Sequence, residues 1–217
     1  MEDSRILNMS SKAGINRRTS LPGVVSPGRR AALASLAGLG LASGALLSGA
    51  AHSQERGIVG QVAPELEIDS WSDANGEPTT FSMSKARGKW TFLKCFQYWC
   101  PGCHSSGFPT LVAVQEAFGA DGDVAIAAIQ TVFEGHSTNR EDRIPEIRDR
   151  YDLKIPIGHD AGDPDGEGTS RWPSTMRLYR TGGTPWLVLI DPAGQVVFDG
   201  FHVDKKKLID FLAEQVA

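Results

Sequence analysis

Residues 98–106 read YWCPGCHSS, and the middle of that stretch has two incompatible interpretations. Cys100 and Cys103 followed at once by His104 spell C-x-x-C-H, the pattern of a covalently attached haem; the same cysteines without the histidine spell a redox dithiol. The first makes both sulfurs permanent thioethers, and the second needs them free to cycle. The flanks carry the decision. Upstream, GKWTFLKCFQYW (residues 88–99) is aromatic and β-branched enough to form a buried strand that ends at the cysteines. Downstream, HSSGFPTLVAVQEAFGA reads as a helix with Leu111, Val112, Val114 and Phe118 for a core face. Pro109 lies inside that pattern and is expected to break or kink its first turns, since it has no N–H and crowds the carbonyl four residues back.

A cysteine pair between a strand and a helix suits disulfide exchange, which needs a thiolate that attacks, a second thiol to resolve the mixed disulfide, and an opening for the partner's sulfur. At the helix start, unpaired N–H groups and the macrodipole stabilise a negative sulfur at Cys100, and Cys103 lies one turn on. The spacing alone also serves zinc and haem. As a staple the pair is poor, because so small a loop removes little entropy from the unfolded chain.

At 217 residues, 41% hydrophobic and 22% charged, the chain is long enough for one domain with a proper core. Its formal net charge of -4 hides an asymmetry. Residues 1–51 hold 6 of the 22 Lys and Arg and 2 of the 26 Asp and Glu, which leaves -8 for the remainder and argues against a nucleic-acid partner.

Those first 51 residues read as an export signal. Arg17 and Arg18, then Arg29 and Arg30, run into the uncharged ALASLAGLGLASGALLSGA and small residues up to Ala51. Paired arginines before a mildly apolar run resemble the twin-arginine type, with Ala32 where that pattern often has Phe. Cleavage after about Ala51 gives a periplasmic protein, whereas an uncleaved run would be a membrane anchor, weak because of its glycines and serines. Residues 52–59 read as a linker and 60–217 as the compact domain.

Within that domain strand-like and helix-like segments alternate, which favours an α/β architecture. DVAIAAIQTVF (residues 123–133) fits a strand covered on both faces. STNREDRIPEIRDRYD is helix-biased and interrupted by Pro145; LKIPIGHD is a short strand, AGDPDGEGTS a loop, and residues 172–179 a helix candidate. PWLVLIDPAGQVVFDGF is a β-hairpin turning at residues 191–194, and VDKKKLIDFLAEQV is an amphipathic closing helix with Leu208, Phe211 and Leu212 toward the sheet.

A strand before the cysteines, a helix with an early proline after them, and Gly182-Gly183-Thr184-Pro185 leading into a later strand together resemble the thioredoxin fold. The chain looks like the exported TlpA-like thiol-disulfide oxidoreductases of the thioredoxin/redoxin (AhpC/TSA-related) superfamily, over residues 60–217. The matching elements are GQVAPEL, GKWTFLKCFQYWCPGC, GGTPWLVLIDPAGQVV and the closing helix. The resemblance implies a central mixed β-sheet flanked by helices, with a strand-helix insertion at residues 123–160 between the C-x-x-C helix and the cis-proline. It also implies Cys100 as nucleophile, Cys103 as resolving thiol with Pro101 and Gly102 between them, Trp99 as the aromatic shielding the pair, and Pro185 as the cis-proline. Thr184 would offer backbone groups to an extended peptide. The implied partners are client proteins with oxidised cysteines and an upstream electron-donor thiol protein, with no cofactor and no metal.

Departures from the family pattern matter too. Lys94 stands where thioredoxins keep a buried carboxylate; pointing toward the dithiol it would favour the Cys100 thiolate, and otherwise it is a solvated strand lysine. A protonated His104 would add to thiolate stability. Glu134 is a candidate proton acceptor at the sheet's C-terminal edge, or else an exposed loop carboxylate. Cys95 reads as a small buried hydrophobe. Three rival functions remain. A cytochrome would pair His104 with an axial ligand such as Met176. A peroxiredoxin keeps Thr and Pro three and seven positions before its cysteine, where this chain has Gln97 and Leu93. A copper-binding assembly chaperone on the same fold uses C-x-x-x-C with a distant histidine, for which His136, His159 and His202 are available.

Overall fold

The computed structural model describes residues 56–119 and 122–217, so the leader segment lies outside the described residues. Six strands form one mixed sheet in the order β1-β4-β3-β2-β5-β6. These are β1 (Ser70–Ser72), β2 (Trp90–Phe96), β3 (Val124–Thr131), β4 (Ile157–Asp160), β5 (Trp186–Ile190) and β6 (Val196–Gly200). Strands β2, β3 and β4 run parallel, while β5 is antiparallel to β2 and β6 to β5. Among the described residues five α-helices accompany them: α1 (Met83–Ala86), α2 (Phe108–Phe118), α3 (Ile144–Tyr151), α4 (Ser174–Tyr179) and α5 (Lys205–Val216).

All seven residues of β2 are buried, because helices cover the sheet on both sides. The pleat sends alternate residues to opposite faces. Phe92 and Phe96 join Leu111, Ile126, Leu187, Leu189 and Leu208 in the core under α2, α3 and α5; Leu93 and Cys95 join Trp71, Ile129, Val188 and Tyr179 in the core on the other face. Parity therefore puts Lys94 on the α2 side and Cys95 away from it. Residues 123–160 supply β3, α3 and β4, which extend the parallel part of the sheet beyond β2.

Two prolines behave differently from the sequence expectation. Pro109 neither breaks nor sharply ends the helix: the chain first winds a π-helical turn over Cys103–Gly107, in which the Phe108 N–H donates to the Cys103 carbonyl, and α2 follows directly. The wider turn accommodates the missing donor at Pro109. Pro145 does not interrupt α3 but sits in its first turn, where a proline gives up only an N–H that has no intrahelical partner. The hairpin turn closes as read, with the Gly194 N–H donating to the Asp191 carbonyl at 2.8 Å. Its φ of +81° is one that glycine adopts without strain.

The domain also begins earlier than residue 60. Gly57 N–H donates to the Arg180 carbonyl, the Ile58 N–H to the Asp199 carboxylate, and Ile58 is 3% exposed. The last residues of the expected linker are thus part of the packed fold.

Candidate active site

Strand β2 ends at Phe96 and delivers the cysteines to the sheet's C-terminal edge, where Pro101 opens the helical run. Both are free thiols and both are buried. The Cys103 N–H donates to Cys100 Sγ at 3.1 Å, and the Cys100 thiol donates to the Thr184 carbonyl at 3.4 Å. Thr184-Pro185 is cis, and the loop holding it closes over the pair so tightly that a Cβ on Gly102 would stand 3.1 Å from Pro185 Cδ.

The two sulfurs are electrostatically unequal. A hydrogen bond from the Cys103 thiol, with others from the Thr184 side chain and the Cys103 N–H and the charge of Lys94, pulls Cys100 down to about 5 against the opposing effect of burial. Cys103 is pushed far up, chiefly by burial and then by the hydrogen bond its thiol donates to Cys100. The thiolate is therefore favoured at Cys100 and the protonated thiol at Cys103. Cys95, on the opposite face, is pushed up to about 12 by burial and is no nucleophile.

Lys94 is fully buried, which removes the solvated-lysine alternative. Its Nζ lies 3.5 Å from the centre of the Phe108 ring and 5.0 Å from that of Phe96, and it has no hydrogen-bond partner among the described residues. The π-helical turn passes over it at Gly107, where a Cβ would meet Lys94 Cε at 2.8 Å and Pro185 Cβ at 3.0 Å. Burial, partly offset by the charges of Cys103, Cys100 and Cys95, lowers Lys94 to about 8.

His104 does not turn toward the sulfurs. Its Nε2 donates to the Tyr98 carbonyl at 2.6 Å, and its Nδ1 pairs with the Tyr151 hydroxyl at 2.6 Å. Tyr151 stacks on Phe108 at 4.3 Å, so His104 ties the helix start to α3. With both nitrogens engaged, the axial-ligand reading of His104 loses its footing. Glu134 also departs from its expected part: its side chain is exposed, and what reaches the site is its carbonyl, which accepts from Gln97 Nε2 at 3.2 Å and Asn139 Nδ2 at 3.1 Å. Trp99, 45% exposed, leans over the Gly135 turn.

Of the peroxiredoxin positions, Leu93 faces the far side of the sheet and Gln97 is engaged with the Glu134 backbone. His159 Nδ1 pairs with Gln130 and His202 Nδ1 with Ser106, and among the described residues no three His, Cys, Asp or Glu gather as a metal site. Sequence reasoning passed over Asn139. It is 1% exposed, accepts the Tyr98 N–H at 2.7 Å and donates to the Glu134 and Gly135 carbonyls, which locks the loop after β2 to the loop after β3. It lay inside STNREDRIPEIRDRYD, which read only as a helix-biased run.

A model of the AhpC/TSA family matches residues 59–198. Among solved structures, a thioredoxin-like superfamily protein is 34% identical, with a TM-score of 0.61 over 72% of this chain and 96% of its own. A thiol-disulfide isomerase from Corynebacterium glutamicum is 31% identical, with a TM-score of 0.58 over 71% and 97%. The thioredoxin domain of a thiol-disulfide oxidoreductase from Bacteroides vulgatus, 20% identical with a TM-score of 0.53 over 73% and 98%, shares the fold. No curated protein sequence matches significantly.

Proposed function

Because the chain belongs to the AhpC/TSA family, we propose that it is an extracytoplasmic protein-disulfide reductase working through the Cys100-Cys103 dithiol. It is a thiol-disulfide oxidoreductase of the thioredoxin-like superfamily. The observation that carries the finer reading is the unequal pair: Cys100 accepts from the Cys103 N–H beside the cis Thr184-Pro185 bond and is held down to about 5, while burial pushes the Cys103 thiol far up.

In the proposed cycle the Cys100 thiolate attacks a client disulfide, and the neighbouring edge at Thr184 offers main-chain groups to the extended client segment. Cys103 then resolves the mixed disulfide, and a donor thiol protein restores the dithiol. A stabilised thiolate makes the dithiol easy to regenerate and confines its reducing action to labile client disulfides, strained or mispaired ones among them. The leader in residues 1–51 supports export by the twin-arginine route and periplasmic action. No helix of the described residues is long and apolar enough to cross a membrane; whether the leader anchors the protein is read by fractionating cells expressing the full chain.

Trapping tests the reading. Cys103→Ser should accumulate mixed disulfides through Cys100 with exported proteins. A variant that traps nothing, from a protein that instead consumes hydroperoxide at the expense of thiols, would establish the peroxidase reading.

A further inference from the structure

Lys94 raises a question that the exchange reaction leaves open: why a fully buried amino group with no hydrogen-bond partner among the described residues stands beside a redox pair. From its own strand the nearest titratable group is Cys95, which faces the other core, and its register neighbours Ala128 on β3 and Leu187 on β5 carry no charge. From the helix side come Cys100 and Cys103, with His104 and Tyr151 on the far side of Phe108. The groups whose ionised forms would act on the ammonium are Cys103, Cys100 and Cys95, and no carboxylate is among them. Cys95 and Tyr151 are both pushed upward by burial and keep their protons at neutral pH.

Burial penalises an ammonium, and only an opposite charge offsets the penalty. Such a charge exists while Cys100 is a thiolate. It disappears when the two sulfurs join, and the face of Phe108, equally present in both states, does not distinguish them. We propose that Lys94 is the redox-linked proton site of the pair: an ammonium beside the Cys100 thiolate, and a neutral amine beside the Cys100-Cys103 disulfide. The inference rests on the dithiol reading above and adds a proton to it.

The steps balance as follows for a client disulfide R–S–S–R′. Cys100 S⁻ attacks, the Cys100–S–S–R bond forms, and R′–S⁻ leaves. Cys103 gives up its proton and attacks Cys100 Sγ; the Cys100-Cys103 bond forms, the bond to R breaks, and R–S⁻ leaves. Two electrons have passed to the client, whose two thiolates take up two protons. The protein releases two, one from Cys103 and one from Lys94, so the exchange is neutral in protons. Without a titrating Lys94 it would release only one.

That difference can be measured on the full-length protein equilibrated with glutathione between about pH 6 and 7.5. Glutathione oxidation also releases two protons for two electrons. The wild-type equilibrium constant should therefore stay flat with pH, while Lys94→Met and Lys94→Arg should each favour the dithiol tenfold more per pH unit, about 30 mV for a two-electron couple. A wild-type constant that climbs tenfold per pH unit, or a Lys94→Met protein as flat as wild type, would overturn the proposal. A readout that needs no variant is the NMR titration of ¹³Cε-labelled lysine: the Lys94 midpoint should fall on oxidation, and an unchanged midpoint would equally overturn it. A protein in which no Cys100-Cys103 disulfide forms would sink the dithiol reading itself, whereas a cycling pair with a one-proton slope sinks only the role of Lys94.

Discussion

Lys94 Nζ lies 3.5 Å from the centre of the Phe108 ring, which puts a buried cation in direct contact with the helix that follows the cysteine pair. The contact gives the site a charge where an apolar core would be more stable. A lysine lowered from 10.5 to about 8 weakens the fold at low pH, and the effect fades as pH rises from 8 through 10.5. Lys94→Met is therefore expected to be more stable than wild type at pH 6 by roughly 1–3 kcal/mol, with the gap narrowing above pH 8. Urea titrations at the two pH values check it, and a Met variant that is less stable at pH 6 would contradict the reading.

Cys100 should stay reactive into mildly acidic solution. Its ionisation is held down to about 5, so the rate of iodoacetamide labelling in the reduced protein should fall with a midpoint near pH 5. The depressed value also stabilises the dithiol form, fully above the unfolded cysteine's ordinary 9 and progressively less as pH falls through 5. A labelling midpoint near 8 would remove the asymmetry between the two sulfurs.

Gly107 is the close approach that lets the π-helical turn pass over Lys94. Gly107→Ala places a Cβ 2.8 Å from Lys94 Cε and 3.0 Å from Pro185 Cβ, and should destabilise the protein by about 1–3 kcal/mol through overpacking. Combined with Lys94→Ala the loss should be smaller than the sum of the two single changes, since the second removes what the first strikes. Thermal denaturation of the four proteins gives the coupling, and strict additivity would place the clash elsewhere.

Cys95 should be silent in the chemistry. It is 1% exposed, on the face of the sheet away from the pair, with its thiol pushed up to about 12. Cys95→Ala should leave disulfide exchange unchanged and cost about 1 kcal/mol in packing. A fall in exchange rate beyond twofold would assign it a part.

The sequence carried the frame of the site because its signals were local. A strand running into C-x-x-C, a helix after it, and Thr184-Pro185 before the apolar Trp186–Ile190 strand are all visible within short windows. The side of the sheet taken by Lys94 was open to a period-2 reading, since it shares parity with Phe92 and Phe96. Burial on both faces hid the answer, because an all-buried strand shows no alternation of apolar and polar residues. The roles of His104, Asn139 and Gly107 were not legible, as each depends on a partner distant in the chain: Tyr151, Tyr98 and Lys94 respectively. Glu134 misled for the opposite reason, since a carboxylate at a sheet edge suggests proton chemistry while the fold uses only its backbone.

Cys100 and Cys103 are expected to form one reversible couple. Equilibrating the purified protein across a glutathione series and mapping its disulfides by mass spectrometry tests that directly. The expected result is a single two-electron transition that joins Cys100 to Cys103 and leaves Cys95 a thiol throughout. A haem bound through both sulfurs, or a Cys100 that is oxidised without ever pairing with Cys103, would contradict it.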